Sequence, residues 1–295
     1  MRKMKIGILV DSSACFKIGE YNSKIIDVLP LHLIVDNEND FLDTEEIIEA
    51  NNLSEELKSE KKKSTSQASP GELMVKYDKM LENYDHIIHI SMPENLSSMM
   101  QTAFLVSSEQ PYEGKVTVIK HSMASNALKY LALKFEQMIN DGITDIEVFQ
   151  KEAEEWENNS FLALIPSNLQ TLARGGRAKM VILKFLKMVK AKVAIQWGRK
   201  PKKIGISRTY NSLFEKTVTT INKELDSDFE VILIARKKEV NPKIVNTLKN
   251  YLKDNSMNYI EEEMSLLFPW HAGEDTIGLI AIKKFLLPKV FSDRN

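Results

Sequence analysis

The chain is 295 residues long, 43% hydrophobic and 27% charged, with a formal net charge of −1. That is the make-up of a globular protein of one or two domains, and no apolar run approaches the roughly 20 residues that span a bilayer. Cys15 is the single cysteine, which excludes an intrachain disulfide, argues against a cysteine metal cage and fits a reducing, cytoplasmic setting.

In chain order, the first apolar run, Ile6 to Val10, is too short for a secretory signal core and reads as a buried strand over Lys5–Val10. Asp11-Ser12-Ser13 follows it. In open α/β sheets ligands sit beyond the carboxyl ends of strands, but the same residues would serve equally as a turn or helix cap. Helices are predicted over residues 44–57, 71–83, 97–108, 122–140 and 146–158, with short apolar strands at 87–90 and 116–119. This alternation predicts a doubly wound α/β domain with a mainly parallel sheet over residues 1–160.

Two hydroxyl-rich turns stand out in that half. Ser69-Pro70 is a good helix start, which leaves Thr65 and Ser66 without a capping task and open to hold an oxyanion. Ser97, in Leu96-Ser97-Ser98, opens another helix, where its hydroxyl either caps or meets a ligand. The serine-hydrolase elbow Gly-x-Ser-x-Gly is absent around it.

The second half reads as a separate α+β domain over residues 161–295. It has strands at 161–165, 231–235 and 277–282, a basic turn at Arg199–Lys203 between two strands, and helices at 212–225 and 242–254. Between Glu157 and Glu215 there is no acidic residue but 12 Lys or Arg, a segregation that creates a local positive potential. Inside it lie the chain's one Gly-Gly pair, in Leu172-Ala173-Arg174-Gly175-Gly176-Arg177, and an apolar helix over 179–190 with Lys184, Lys187 and Lys190 in one stripe.

Of the five histidines, His86 and His89 are three apart in a strand and so face opposite ways, which argues against a shared metal. His271, in Phe268-Pro269-Trp270-His271-Ala272-Gly273, is the one placed for a site. No Walker A, dinucleotide or His-Glu-x-x-His motif is present. The basic stretch has no accompanying nucleic-acid motif and the chain is near neutral, so nucleic acid is not an expected partner.

Taken together, the ordered landmarks Ile8–Ser13, Leu29-Pro30-Leu31, Thr65–Pro70, Leu96-Ser97 with Gln101-Thr102-Ala103, His121-Ser122, Leu172–Arg177 and His271-Ala272-Gly273 with Gly278 resemble the DegV family. The resemblance covers nearly the whole chain. It implies a two-domain α/β protein with a long-chain fatty acid in an internal tunnel between the domains. It further implies that Thr65 and Ser97 hold the carboxylate, that Ser66, Arg177 and His271 lie near it, and that no other cofactor or metal is needed. Some members hand the acyl chain to a fatty acid kinase subunit for phospholipid synthesis, so the resemblance implies a carrier whose partner does the chemistry. The lysine-striped helix would then face that kinase, or touch the membrane surface transiently.

Departures from the family pattern are Ser98, Met99 and Met100 after Leu-Ser, Glu274 and Asp275 after His-x-Gly, Lys192-Val193 where Lys-Pro is usual, and His121 where an aspartate is usual. Two acids near a carboxylate raise the local negative potential, and added methionines reshape an apolar tunnel. The alternative reading is an enzyme on a small acyl or phosphate ester, with Ser97 as nucleophile and His271 as acid–base.

Overall fold

The computed structural model describes residues 4–174 and 191–292. Arg177, the Gly-Gly pair and the lysine-striped helix over 179–190 lie outside the described residues. Along the chain the protein divides into two compact units, one of Met1–His32, Ser66–Asn158 and Leu286–Asn295, the other of Leu33–Thr65 and Asn159–Phe285.

The first unit is built on four parallel strands, β1 (Ile6–Asp11), β2 (Ile26–Leu29), β6 (His86–Ile90) and β7 (Val116–Val118), in the order β2-β1-β6-β7. Every residue of β1 and β6 is buried, which is why their apolar residues come in short runs and do not alternate with exposed polar ones, with His86, His89 and Asp11 as buried exceptions. Helix Pro70–Leu81 lies in the connection leading into β6 and Met99–Ser107 in the β6–β7 crossover, while Asn126–Asn140 and Ile146–Asn158 follow the last strand of the sheet. Helix Pro70–Leu81 starts as its sequence dictates: Ser69 Oγ accepts from the Glu72 N–H at 3.2 Å, and the Glu72 carboxylate accepts from the Ser69 N–H at 2.7 Å. Gly7 is needed where it stands, because a Cβ there would press on the Tyr84 ring at 2.7 Å.

This strand order makes the β1–β6 junction the topological switch point, and its carboxyl end carries Asp11–Ser13 and the Ser91–Ser97 loop. Of the two readings left open for Asp11-Ser12-Ser13, the geometry shows the structural one. Asp11 is wholly buried; its carboxylate accepts from the Ser13 N–H (3.1 Å), the Ser13 hydroxyl and the Met92 N–H. Ser12 Oγ accepts from the Leu31 N–H at 3.1 Å. Burial nevertheless pushes the Asp11 carboxyl up to about 6, against the three hydrogen bonds that favour its anion.

The second unit holds a six-stranded sheet of β8 (Ser160–Ile165), β9 (Lys192–Trp197), β10 (Lys202–Ser207), β11 (Phe229–Ala235), β12 (Tyr259–Glu263) and β13 (Ile277–Lys283). The order is β10-β9-β8-β13-β11-β12, and every pair is antiparallel except β11–β12. Helices Tyr210–Leu225 and Pro242–Asp254 cover one face. Phe161, Ala163 and Ile165, alternate residues of β8, pack there against Leu213, Phe214, Val218 and Leu248.

Leu33–Thr65 carries a further three-stranded sheet, β4-β3-β5, from β3 (His32–Val35), β4 (Asn39–Leu42) and β5 (Lys63–Ser66). Division at residue 160 would assign this segment to the first domain, whereas it packs with the second unit. Ser265 Oγ donates to Asp43 at 2.9 Å, and the buried Arg236 guanidinium donates to Glu45 at 2.7 Å, with Glu239 and Glu263 at 3.5 and 3.7 Å. The predicted helix over 44–57 is a short α-helix, Glu45–Ala50, followed by a 3-10 turn at Leu53–Lys58. No helix among the described residues is long and apolar enough to cross a membrane.

Candidate functional site

Thr65 lies on β5, which pairs with β3, and Ser64 and Thr65 are half-buried. Across from it stands helix Leu267–Ala272, which carries Trp270 and His271. Two adjacent residues of the helix grip two adjacent residues of the strand. The Trp270 indole N–H donates to the Ser64 carbonyl at 3.1 Å, and His271 Nε2 lies 2.8 Å from Thr65 Oγ1. Residues 206 positions apart in sequence are thereby brought into one polar contact.

The helix is itself fixed at both ends. Ser265 Oγ accepts from the Leu267 N–H at 3.2 Å, and the Ala272 carbonyl accepts from the Asn168 N–H at 2.8 Å. The chain then turns at Gly273, with φ at +93°, where a Cβ would collide with Ser167 Oγ and with Asn168 Cβ at 2.9 Å. Only glycine meets both demands. Thr276 Oγ1 donates to the Gly273 carbonyl at 2.6 Å and closes the loop.

Thr65 and His271 line a polar cavity of about 910 Å³ within the second unit. Its other walls are the Leu57–Ser64 segment, Ser167, Asn168, Gln170, Thr171 and Gly273–Asp275. Lys63 Nζ donates to the Ser59 carbonyl at 2.6 Å, and partial burial holds its amine below the ordinary lysine range. Asp275, a departure noted above, accepts from the Asn241 N–H at 2.7 Å at the start of helix Pro242–Asp254. Glu274 lies beside it in the cavity wall.

The remaining expected site residues are placed as follows. Ser66 and Ser97 belong to the first unit. The exposed Ser66 hydroxyl donates to the Gln67 carbonyl at 2.8 Å, and Ser97 Oγ accepts from the Met99 N–H at 3.2 Å at the start of its helix. Gln67 Nε2 donates to Thr102 Oγ1 at 2.8 Å, which ties the Thr-Ser-Gln segment to the helix that Ser97 opens. Met99 and Met100 are buried there. The structure thus brings Thr65 and His271 together, and Arg177 lies outside the described residues. Sequence reasoning passed over Trp270 and Asn168; an indole beside a candidate histidine was the available signal for the first.

Two other histidines meet hydroxyl partners within the first unit. His86 pairs with Thr117 at 2.9 Å, and His89 Nδ1 shares a hydrogen bond with the buried Tyr77 hydroxyl at 2.7 Å. Burial pushes the His89 imidazole down to about 3 and His121 down to about 4, so both rings are neutral in a neutral medium.

The chain matches, over residues 5–284, the family described as "Uncharacterised protein, DegV family". A Thermotoga maritima fatty acid-binding protein is 32% identical over 179 residues, 59% of this chain and 61% of that protein. A DegV family protein from Thermus thermophilus, described by its fatty acid binding, superposes with a TM-score of 0.82 at 20% identity, covering 95% of this chain and all (100%) of that one. A stearic acid-binding protein from Eubacterium ventriosum superposes with a TM-score of 0.80 at 18% identity, covering 95% of this chain and 99% of that one.

Proposed function

We propose that this chain, which belongs to the DegV family, binds one long-chain fatty acid and presents its carboxylate to a partner fatty acid kinase that supplies phospholipid synthesis. The observation that carries the reading is the Thr65–His271 pair in the wall of a polar cavity. Family relatives are named for fatty acid binding, and one for stearic acid.

The pair suits a carboxylate for a reason of proton placement. A threonine hydroxyl has one proton to donate and two lone pairs. In this reading the imidazole carries its proton on Nε2 and donates to Thr65 Oγ1, and Thr65 in turn donates to a carboxylate oxygen of the bound acid. A hydrogen bond to a charged acceptor is about twice as strong as a neutral one. In this reading Ser97 offers a second hydroxyl, while Ser66 and Arg177 stand near the anion. At about 0.8 kcal/mol per buried CH₂, a sixteen-carbon tail gains on the order of 10 kcal/mol before binding costs. The tail therefore supplies affinity, and the polar end sets orientation.

The test is native mass spectrometry of protein purified from bacteria, followed by lipid extraction. Retained fatty acid of defined length supports the reading. Delipidated, refolded protein that takes up neither palmitate nor oleate would overturn it.

A further inference from the structure

We propose that Trp270 is a positioning residue for the carboxylate site: by holding the Ser64 carbonyl, its indole N–H sets where the Thr65 hydroxyl stands relative to His271. This rests on the reading that Thr65 and His271 hold a carboxylate.

Three observations carry it. First, the Trp270 N–H supplies a bond to the Ser64 carbonyl of β5, one residue before Thr65. Successive strand residues advance by about 3.3 Å, so holding one carbonyl constrains the next side chain closely. Second, Trp270 is 0% exposed on a helix secured by Ser265, Asn168 and the Gly273 turn, so it transmits a fixed frame to the strand. Third, an indole partner is not automatic in this protein. Among the described residues, the buried Nε1 atoms of Trp156 and Trp197 find no hydrogen-bond partner, whereas that of Trp270 does. The bond at Ser64 is therefore a specific placement and not a by-product of burying an indole.

The experiment is a double-mutant cycle on the delipidated full chain, read by calorimetric titration with palmitate. Trp270→Phe keeps a buried ring and removes the N–H. It is expected to weaken palmitate binding about fivefold to tenfold in the wild-type background, and to have no further effect once Thr65→Val is present. Equal weakening in both backgrounds would reduce Trp270 to general packing and overturn the proposal. So would unchanged affinity in Trp270→Phe while Thr65→Val still weakens binding. If Thr65→Val itself leaves affinity unchanged, the carboxylate reading fails first and the inference falls with it. A second measurement covers a misfolded Trp270→Phe. In the wild-type ¹⁵N spectrum, assigned with Trp156→Phe and Trp197→Phe, the Trp270 indole resonance is expected to move on adding palmitate. An unmoved resonance at saturation overturns the proposal.

Discussion

His271 and Thr65 meet at 2.8 Å, Nε2 to Oγ1, so which of the two donates across the contact is set by which imidazole nitrogen carries the proton. Thr65→Val keeps the shape and removes the hydroxyl. It is expected to weaken palmitate binding about tenfold or more, whereas Thr65→Ser stays within about threefold of wild type. Fluorescent fatty acid displacement measures both, and equal losses in Val and Ser would point to packing.

Acid is expected to destabilise the protein through its buried histidines. Their folded values, about 3 for His89 and about 4 for His121, lie below the ordinary 6.5. The unfolded chain then binds protons that the folded one refuses, and stability complete above pH 6.5 is lost as pH falls toward 4. Asp11 acts in the opposite sense: its carboxyl is raised to about 6, so protonation from pH 6 downward favours the folded state. His86, lowered by burial, adds to the fall, while Glu136, Glu230 and Glu263, raised by burial, act with Asp11. The large displacements of His89 and His121 set the expected net fall in thermal midpoint from pH 6.5 to 4. His89→Phe should flatten that fall, and a midpoint that rises on acidification would contradict this assignment.

Arg236 is buried among Glu45, Glu239 and Glu263. Removing the cation with Arg236→Ala leaves the carboxylates uncompensated and is expected to cost about 3 to 5 kcal/mol in urea unfolding. A loss below 1 kcal/mol would mean that water already shields the cluster.

Gly273→Ala adds a methyl at a positive φ and against Ser167 and Asn168. Strain alone costs about 1 to 3 kcal/mol. Because the turn secures His271, fatty acid affinity should fall together with the thermal midpoint. A stable Gly273→Ala with full affinity would show that the turn does not govern the histidine.

The elements with strong periodicity were readable in advance. Helix Pro242–Asp254 matches its predicted span, and Ser69-Pro70 announced a helix start that the capping geometry bears out. Strands β1 and β6 were visible because both faces are buried, and β7 as a short apolar run, whereas β2, with its two central residues half-buried, went unread. What escaped was the polar sheet: Lys63-Ser64-Thr65-Ser66 and Asn39-Asp40-Phe41-Leu42 have neither the alternation nor the apolar content that marks a strand. Their pairing is dictated by residues far along the chain, through Arg236, Ser265 and Trp270. The second-half runs Val231–Ala235 and Ile277–Ile282 looked the same as parallel core strands, yet they pair antiparallel, because a run buried on both faces does not reveal its direction. The Thr65–His271 contact was suggested only by the order of family landmarks, since nothing local to either residue encodes a partner 206 positions away.

The interleaving of the two units sets a timetable for biosynthesis. When Leu33–Thr65 leaves the ribosome, the arginine, serine and tryptophan that will anchor it have not been made. Its polar strands wait while Ser66–Asn158 is synthesised, and its unit can close only after Trp270 and His271 emerge. The first unit closes later still, when Phe291 arrives to pack edge-on against Tyr130. A nascent chain stalled near residue 250 should therefore carry Leu33–Thr65 open to protease, and release from that state coincides with formation of the Thr65–His271 contact.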